Sequence, residues 1–421
     1  MPDVSIKNIL QRGDLTFSAA LAVVIIMPVY VKFLPPFMIL WGVFWLWENN
    51  FKLIRSMFVE NKAAILFFLF IGFYLWQIFG LLFADSPGSG IERVLKRLSF
   101  LVFPLVLFYP GIRIINNIKL LLQIFAISTF LYVIFCFGHA FFNSLSTSGG
   151  HLAFNPHPEE SGWDNFFFST YFSYPIHPSY LAMYVISSLL ISLESVFDRN
   201  LSIIQKYLWL SMTLTFMGAI YLLSSRAGYL AAAVVLPLSL LSKTYRKVSG
   251  WIILISLLTF FFFSIVIAKT NQRINYTIDE LFKGNLTETL ETDTRHVIWK
   301  SALGVIKQNM ILGVGTGDAS RELKKEYTQR GNYSGYYEDL NAHNQYLEIL
   351  LENGVIGLLI FLCILGYMLF LAFSEKNLVL GLFVIMILIF FFFETILNRI
   401  AGITFFSLFS FLLLQNRKSE K

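Results

Sequence analysis

Several short stretches of this chain place side chains capable of chemistry in apolar surroundings. In "NAHNQYLEILLENGVIGLL", Asn341 to Leu359, a histidine stands among amide side chains just ahead of a run that turns apolar. An imidazole titrates near neutrality, so His343 can accept a proton in a reaction, or can serve as a structural hydrogen-bonding residue. In "LLSSRAGYL", Arg226 interrupts an apolar stretch from Tyr207 to Leu241, and a charge beside a membrane is costly unless it pairs or works. Ser224 and Ser225 add donors that suit an oxyanion; the alternative is an arginine that snorkels to the interface. In "IERVLKRLSF", Arg93, Lys96 and Arg97 fall at i, i+3 and i+4 on one helical face, fit for a phosphate contact or for a solvated interfacial face. Arg399, in "ETILNRIAG", is expected to pair with Glu394.

The elements that must position these groups follow from composition. Of 421 residues, 56% are hydrophobic and 17% aromatic, with 45 Phe, and only 14% are charged, against roughly 25% in soluble domains. The chain therefore reads as an all-α polytopic membrane protein. Apolar runs near the ~20 residues that cross a ~30 Å hydrocarbon core recur near 15–31, 33–47, 63–83, 98–112, 118–142, 178–197, 207–224, 227–242, 251–268, 354–373, 378–393 and 400–415. That makes about twelve spans. The first lacks a small-residue cleavage site after its apolar core, so no cleavable signal peptide is expected.

Lysine and arginine in the short loops orient the spans. Lys7, Arg12, Lys52, Arg55, Lys62, Arg113, Lys119, Arg199, Lys206, Lys243, Arg246, Lys247, Arg417, Lys418 and Lys421 fall on one side, which puts both termini in the cytoplasm. The formal net charge of +6 is then a topology signal, and nucleic acid is not an expected partner. Cys136 and Cys363 lie within spans and read as small packing residues.

This topology divides the chain into 1–268 with nine spans, 269–353 as a helical domain on the outer face, and 354–421 with the last three spans and a cytoplasmic tail. An outer loop near 143–177, rich in Gly, Pro, Ser and aromatics, is expected to be irregular. Within 269–353, helical patterns at Arg295 to Gln308 and Ala319 to Arg330 flank the turn-like "LGVGTGD". Asn341 is expected to cap a helix beginning near His343, with Tyr346, Leu347, Leu350 and Leu351 as an apolar stripe lying on the membrane. About eleven residues, or ~16 Å of helix, would carry His343 over the centre of the outer face, and Gly354 and Gly357 would permit a bend and close packing. No metal site is expected: Asp293 stands without a close acidic partner, and His151, His157 and His177 match no compact zinc spacing.

The order of "SSRAG", "TRHVIWKSALGVIKQNMILGVGTGD" and "HNQYLEILLENGVIGLLIFL", together with "HPSYLAMY" at His177 to Tyr184 and "FFETILNRIAGITFF", resembles the O-antigen ligase and polymerase superfamily of bacterial envelope glycosyltransferases. The resemblance covers about 175 to 410. It implies a GT-C-like, metal-independent and cofactor-free inverting transferase in the bacterial inner membrane, with its site on the periplasmic face. The donor would be a glycan on undecaprenyl diphosphate. The acceptor would be a lipid A-core sugar hydroxyl in a ligase, or another lipid-linked glycan in a polymerase. His343 matches the family's essential histidine, and Arg226 and Arg295 match its two arginines. Their chemistry agrees: an arginine fork suits a diphosphate leaving group, with Arg93, Lys96 and Arg97 as helpers, and one neutral imidazole serves as general base. Asn344 and His177, in the "HNQ" and "HPSY" motifs, are candidates for positioning donor or acceptor. The short tail after the last span favours a ligase over protein-glycosylating relatives. A lipid-linked glycan transporter or flippase is the competing class, and would need polar groups at mid-membrane depth.

Overall fold

Apolar helices in a bilayer must satisfy their backbone polar groups internally, and the expected spans fold accordingly. A computed structural model of the chain describes residues 14–48, 63–108, 112–148, 151–157, 165–239 and 295–415. The helices are α1 (Asp14–Val29), α2 (Leu34–Glu48), α3 (Ala63–Phe79, running on into a 3-10 turn Gly80–Phe83), α4 (Pro87–Lys96), α5 (Ser99–Phe108) and α6 (Ile118–Asn143). Beyond a hairpin follow α7 (Pro178–Val196), α8 (Ile203–Leu223), α9 (Arg226–Ser239), α10 (Arg295–Gln308), α11 (Ala319–Gln329), α12 (Gln345–Ser374), α13 (Leu378–Phe393) and α14 (Ile400–Gln415). The protein is an all-α polytopic membrane protein. Five segments, Ala63–Phe83, Ile118–Asn143, Pro178–Val196, Ile203–Leu223 and Gln345–Ser374, are long and apolar enough to cross a membrane, and shorter apolar helices accompany them. The expected ninth span at 251–268, the loop residues 269–294 and the charged termini lie outside the described residues.

α14 sits at the centre of the bundle, buried along nearly its whole length. Its Phe405, Phe406 and Phe409 meet Phe125, Phe100 and Phe391 from the surrounding helices. Its polar groups are answered locally, as a low-dielectric interior demands: Ser407 Oγ donates to Ser99 O at 2.7 Å and Gln415 Nε2 to Leu107 O at 3.1 Å.

The stretch expected to be irregular contains an antiparallel pairing instead. Leu145–Ser148 (β1) runs against His151–Phe154 (β2), with Leu145 opposite Phe154. Neither "LSTS" nor "HLAF" alternates apolar with polar residues, so the pairing left no periodic signal.

α10, α11 and the first turns of α12 share a small core of their own. Ile298, Ala302, Val305 and Ile306 recur at helical spacing along α10 and are buried; all but Ile298 join Leu323, Tyr327 and Leu351 in that core. The "GVGTGD" turn locks this unit onto the bundle. Gly313, Gly315 and Gly317 have φ of 78°, 97° and 98°, and a Cβ on Gly317 would collide with the backbone of Gly90. Thr316 Oγ1 donates to Gln77 O at 2.7 Å, and its amide reaches Gly80 O at 3.3 Å.

Gly354, at φ 65° and ψ −171°, kinks α12, as its place ahead of the apolar run anticipates. The kink breaks the helical bond from the Val355 amide to the Leu351 carbonyl. The loop repairs both ends: Val355 N donates to Met310 O, and Val314 N to Leu351 O, each at 2.9 Å. Trp76 Nε1 covers Asn353 O at 3.0 Å, and its ring packs where a Cβ on Gly357 would stand.

Candidate functional site

The carboxylate of Glu394, the residue that closes α13, gathers groups from four other segments. His343 Nδ1 lies 3.4 Å from its Oε2, Arg295 Nη2 is 3.7 Å from its Oε1, and Ser179 Oγ donates to the same Oε1 at 3.2 Å. Ser225 Oγ donates in turn to Ser179 Oγ at 3.4 Å. Burial opposes ionisation of Glu394, but the hydrogen bond from His343 and the charges of His343, His177 and Arg295 hold its carboxyl below the usual range. His177, nearby, is pushed down mainly by burial, against the pull of the Glu394 carboxylate.

Two of the neighbouring groups, His177 and Ser225, sit just ahead of helix starts. His177 is the N-cap of α7, its Nδ1 accepting from the Ser179 amide at 3.4 Å. Arg226 is the first residue of α9 and is exposed, while the buried Ser225 Oγ accepts from the Gly228 amide at 3.1 Å. The Ser225 hydroxyl is therefore a cap whose proton points at Ser179, not the open donor expected from "SSRAG". Arg295 is the first described residue of α10, with its guanidinium 5.4 Å from the Phe393 ring centre. A helix N-terminus carries partial positive charge, so Arg226 stands where a cation is disfavoured unless an anion compensates.

The helix after His343 starts at Gln345, two residues later than expected. His343 has φ 44°, a left-handed conformation that cannot continue into a helix. Asn341 Oδ1 accepts the His343 amide at 3.0 Å and so closes a local turn. The cap is Asn344, whose Oδ1 accepts from the amides of Tyr346 and Leu347 at 3.0 and 3.1 Å.

The second basic group faces a different set of carboxylates. Arg93 Nε donates to Glu352 Oε1 at 3.0 Å, and its Nη2 to Glu348 Oε1 at 3.3 Å. Arg97, fully buried, pairs with Glu352 Oε2 at 2.7 Å and donates to Gln77 Oε1 and Leu397 O. Lys96 points elsewhere and pairs with Glu92 at 2.5 Å on the surface. Arg399 is not within ion-pair distance of Glu394, whose contacts go to His343 and Arg295.

The structure brings His343, Arg295 and His177 around Glu394, and Arg226 follows Ser225, which reaches Ser179. Sequence reading missed Glu394 as the partner of His343, and Glu348 and Glu352 as the partners of Arg93 and Arg97. A signal for the latter existed: both pairs are spaced i, i+4, which puts two cations and two anions in register when the helices face each other. Among the described residues no three His, Cys, Asp or Glu side chains gather in a way that could hold a metal ion.

The family model described as O-antigen ligase matches residues 211–362. The match spans Arg226, Arg295 and His343, and leaves His177 and Glu394 outside it. The match supports the resemblance to the O-antigen ligase and polymerase superfamily that the sequence motifs implied. A comparison with curated proteins finds no match.

Proposed function

We propose that the chain is an O-antigen ligase: a GT-C-like, inverting and metal-independent glycosyltransferase. It transfers a glycan from undecaprenyl diphosphate to a lipid A-core sugar hydroxyl, at the periplasmic face of a bacterial inner membrane. In this reading 269–353 forms the periplasmic domain and both termini are cytoplasmic. The observation that carries it is the pairing of His343 with Glu394, with the Arg295 guanidinium against the same carboxylate.

The tautomer that donates Nδ1–H to Glu394 leaves a lone pair on Nε2. That nitrogen takes the proton of the acceptor hydroxyl as its oxygen bonds to the anomeric carbon. The bond from that carbon to the phosphate oxygen breaks, and the electron pair leaves with the lipid diphosphate. Arg295 and Arg226 oppose the charge that builds there, assisted by the helix N-termini. Glu394 orients the imidazole and stabilises it once protonated.

The test is genetic and biochemical together. Deletion should yield lipopolysaccharide without O-antigen, while polymerised glycan accumulates on its lipid carrier. Purified wild-type protein should attach lipid-linked glycan to lipid A-core, and His343→Ala at equal membrane level should not. Short unpolymerised glycan in the deletion strain would assign the chain to polymerisation instead. Normal attachment by His343→Ala would remove the base from the mechanism.

A further inference from the structure

The peptide of Ala342, immediately before His343, is gripped at both ends. Its amide donates to Glu348 Oε2 at 3.2 Å, and its carbonyl accepts from Trp299 Nε1 at 3.1 Å. Each grip also reaches across to the segment that carries Glu394. Glu348 Oε1 accepts from Asn398 Nδ2 at 2.7 Å, four residues beyond Glu394. The Trp299 ring meets Phe392, two residues before it, edge to face at 5.7 Å. Gln345 adds a third tie, its Oε1 accepting from the Leu397 amide at 2.6 Å.

These ties answer a mechanical problem. His343 and Glu394 lie on different segments, 51 positions apart in sequence, and His343 holds a left-handed backbone with φ 44° that an ordinary side chain avoids. Such a conformation persists only when its surroundings over-determine it. Glu348 is buried, and its charge is met by Arg93 at 3.3 Å, so the carboxylate is fixed in place. Its two oxygens accept from groups on the two sides of the pair. A single amide in its place has one acceptor and one donor, and cannot accept from both.

We propose that Glu348 is a positioning residue for the His343–Glu394 pair, acting through the Ala342 amide and Asn398, with Trp299 as the opposing grip. The proposal rests on the reading of His343 as general base. A misplacement of ~1 Å costs on the order of 10²-fold in rate, whereas donor binding depends on the arginines and is left intact.

Glu348→Gln tests it, because Arg93 keeps Glu352 as a partner at 3.0 Å and the shape is conserved. Trp299→Phe is the companion, keeping a ring against Phe392 while deleting the N–H that holds Ala342. Each variant is purified in detergent and normalised to folded chain, and kcat, KM and direct binding of the lipid-linked donor are measured beside His343→Ala. The expected result is a fall in kcat of roughly 10- to 100-fold, with donor affinity within about twofold of wild type. An unchanged kcat in Glu348→Gln, or a parallel loss of kcat and donor binding, overturns the positioning role. If Glu348→Gln does not fold, the same split in Trp299→Phe decides. Full activity in both variants beside an inactive His343→Ala rejects the proposal alone; full activity in all three rejects the general base as well.

Discussion

His343 combines a reactive side chain with a backbone conformation that few residues accept. Histidine, asparagine and aspartate are the non-glycine residues most enriched at positive φ, so the φ of 44° separates fold from function in a useful way. His343→Asn should leave the thermal midpoint near wild type and abolish transfer; a midpoint lowered as much as that of His343→Ala would show that the imidazole itself holds the turn. The arginines offer a second test. Lysine keeps the charge but loses the planar fork, so Arg226→Lys and Arg295→Lys should each depress turnover. If both face one diphosphate, a double-mutant cycle should give coupling of roughly 0.5–3 kcal/mol. Near-normal activity of Arg226→Lys, with additive effects, would reduce Arg226 to an interfacial anchor.

At the scale of elements, the loop unit and the kinked helix form one device. The kink at Gly354 exposes a carbonyl and an amide that Val314 and Met310 take up. The glycine turn then passes so close to α4 that Gly317 leaves no room for a side chain. Arg93 and Arg97 seal the same junction through Glu348 and Glu352, and Gly317 donates its amide to Glu352 Oε1 at 3.0 Å. Gly317→Ala must therefore relocate backbone as well as adopt an unfavourable φ, a cost of about 1–3 kcal/mol or more. The measurable outcome is a lower thermal midpoint and faster proteolysis within 319–337; wild-type values for both would mean the turn is not a clamp. Removing one partner of the buried Arg97–Glu352 pair should cost roughly 3–5 kcal/mol by leaving a charge unpaired.

For the whole molecule, the site gathers the starts of α7 and α9, the turn before α12 and the end of α13, with Arg295 against the last of these. An anionic leaving group can thus be stabilised by arginines and backbone dipoles without a divalent cation. Purified enzyme should accordingly keep its activity in EDTA, and loss restored by added magnesium or manganese would overturn that. Sidedness is open to the same kind of check. Cysteines introduced at the exposed Tyr333 or Tyr337 should react with a membrane-impermeant maleimide in intact spheroplasts, while one at Lys421 should react only after lysis.

Run length and apolarity by themselves located the bundle, because a bilayer imposes one requirement on every span irrespective of its neighbours. Residue type likewise nominated His343, Arg226 and Arg295, since proton transfer and phosphate binding draw on few side chains. The glycines of "LGVGTGD" and Gly354 marked turns and a bend for the same local reason, a backbone freedom that other residues lack. Only tertiary structure decided which charges meet. Glu394 lies 51 positions from His343, Glu352 lies 259 from Arg93, and Arg97 reaches Leu397 across 300. No periodicity or local spacing encodes those meetings; they follow from helix packing. The packing is what turned Asn344 into a cap, Ser225 into a buried link, and two of the expected phosphate cations into the partners of Glu348 and Glu352.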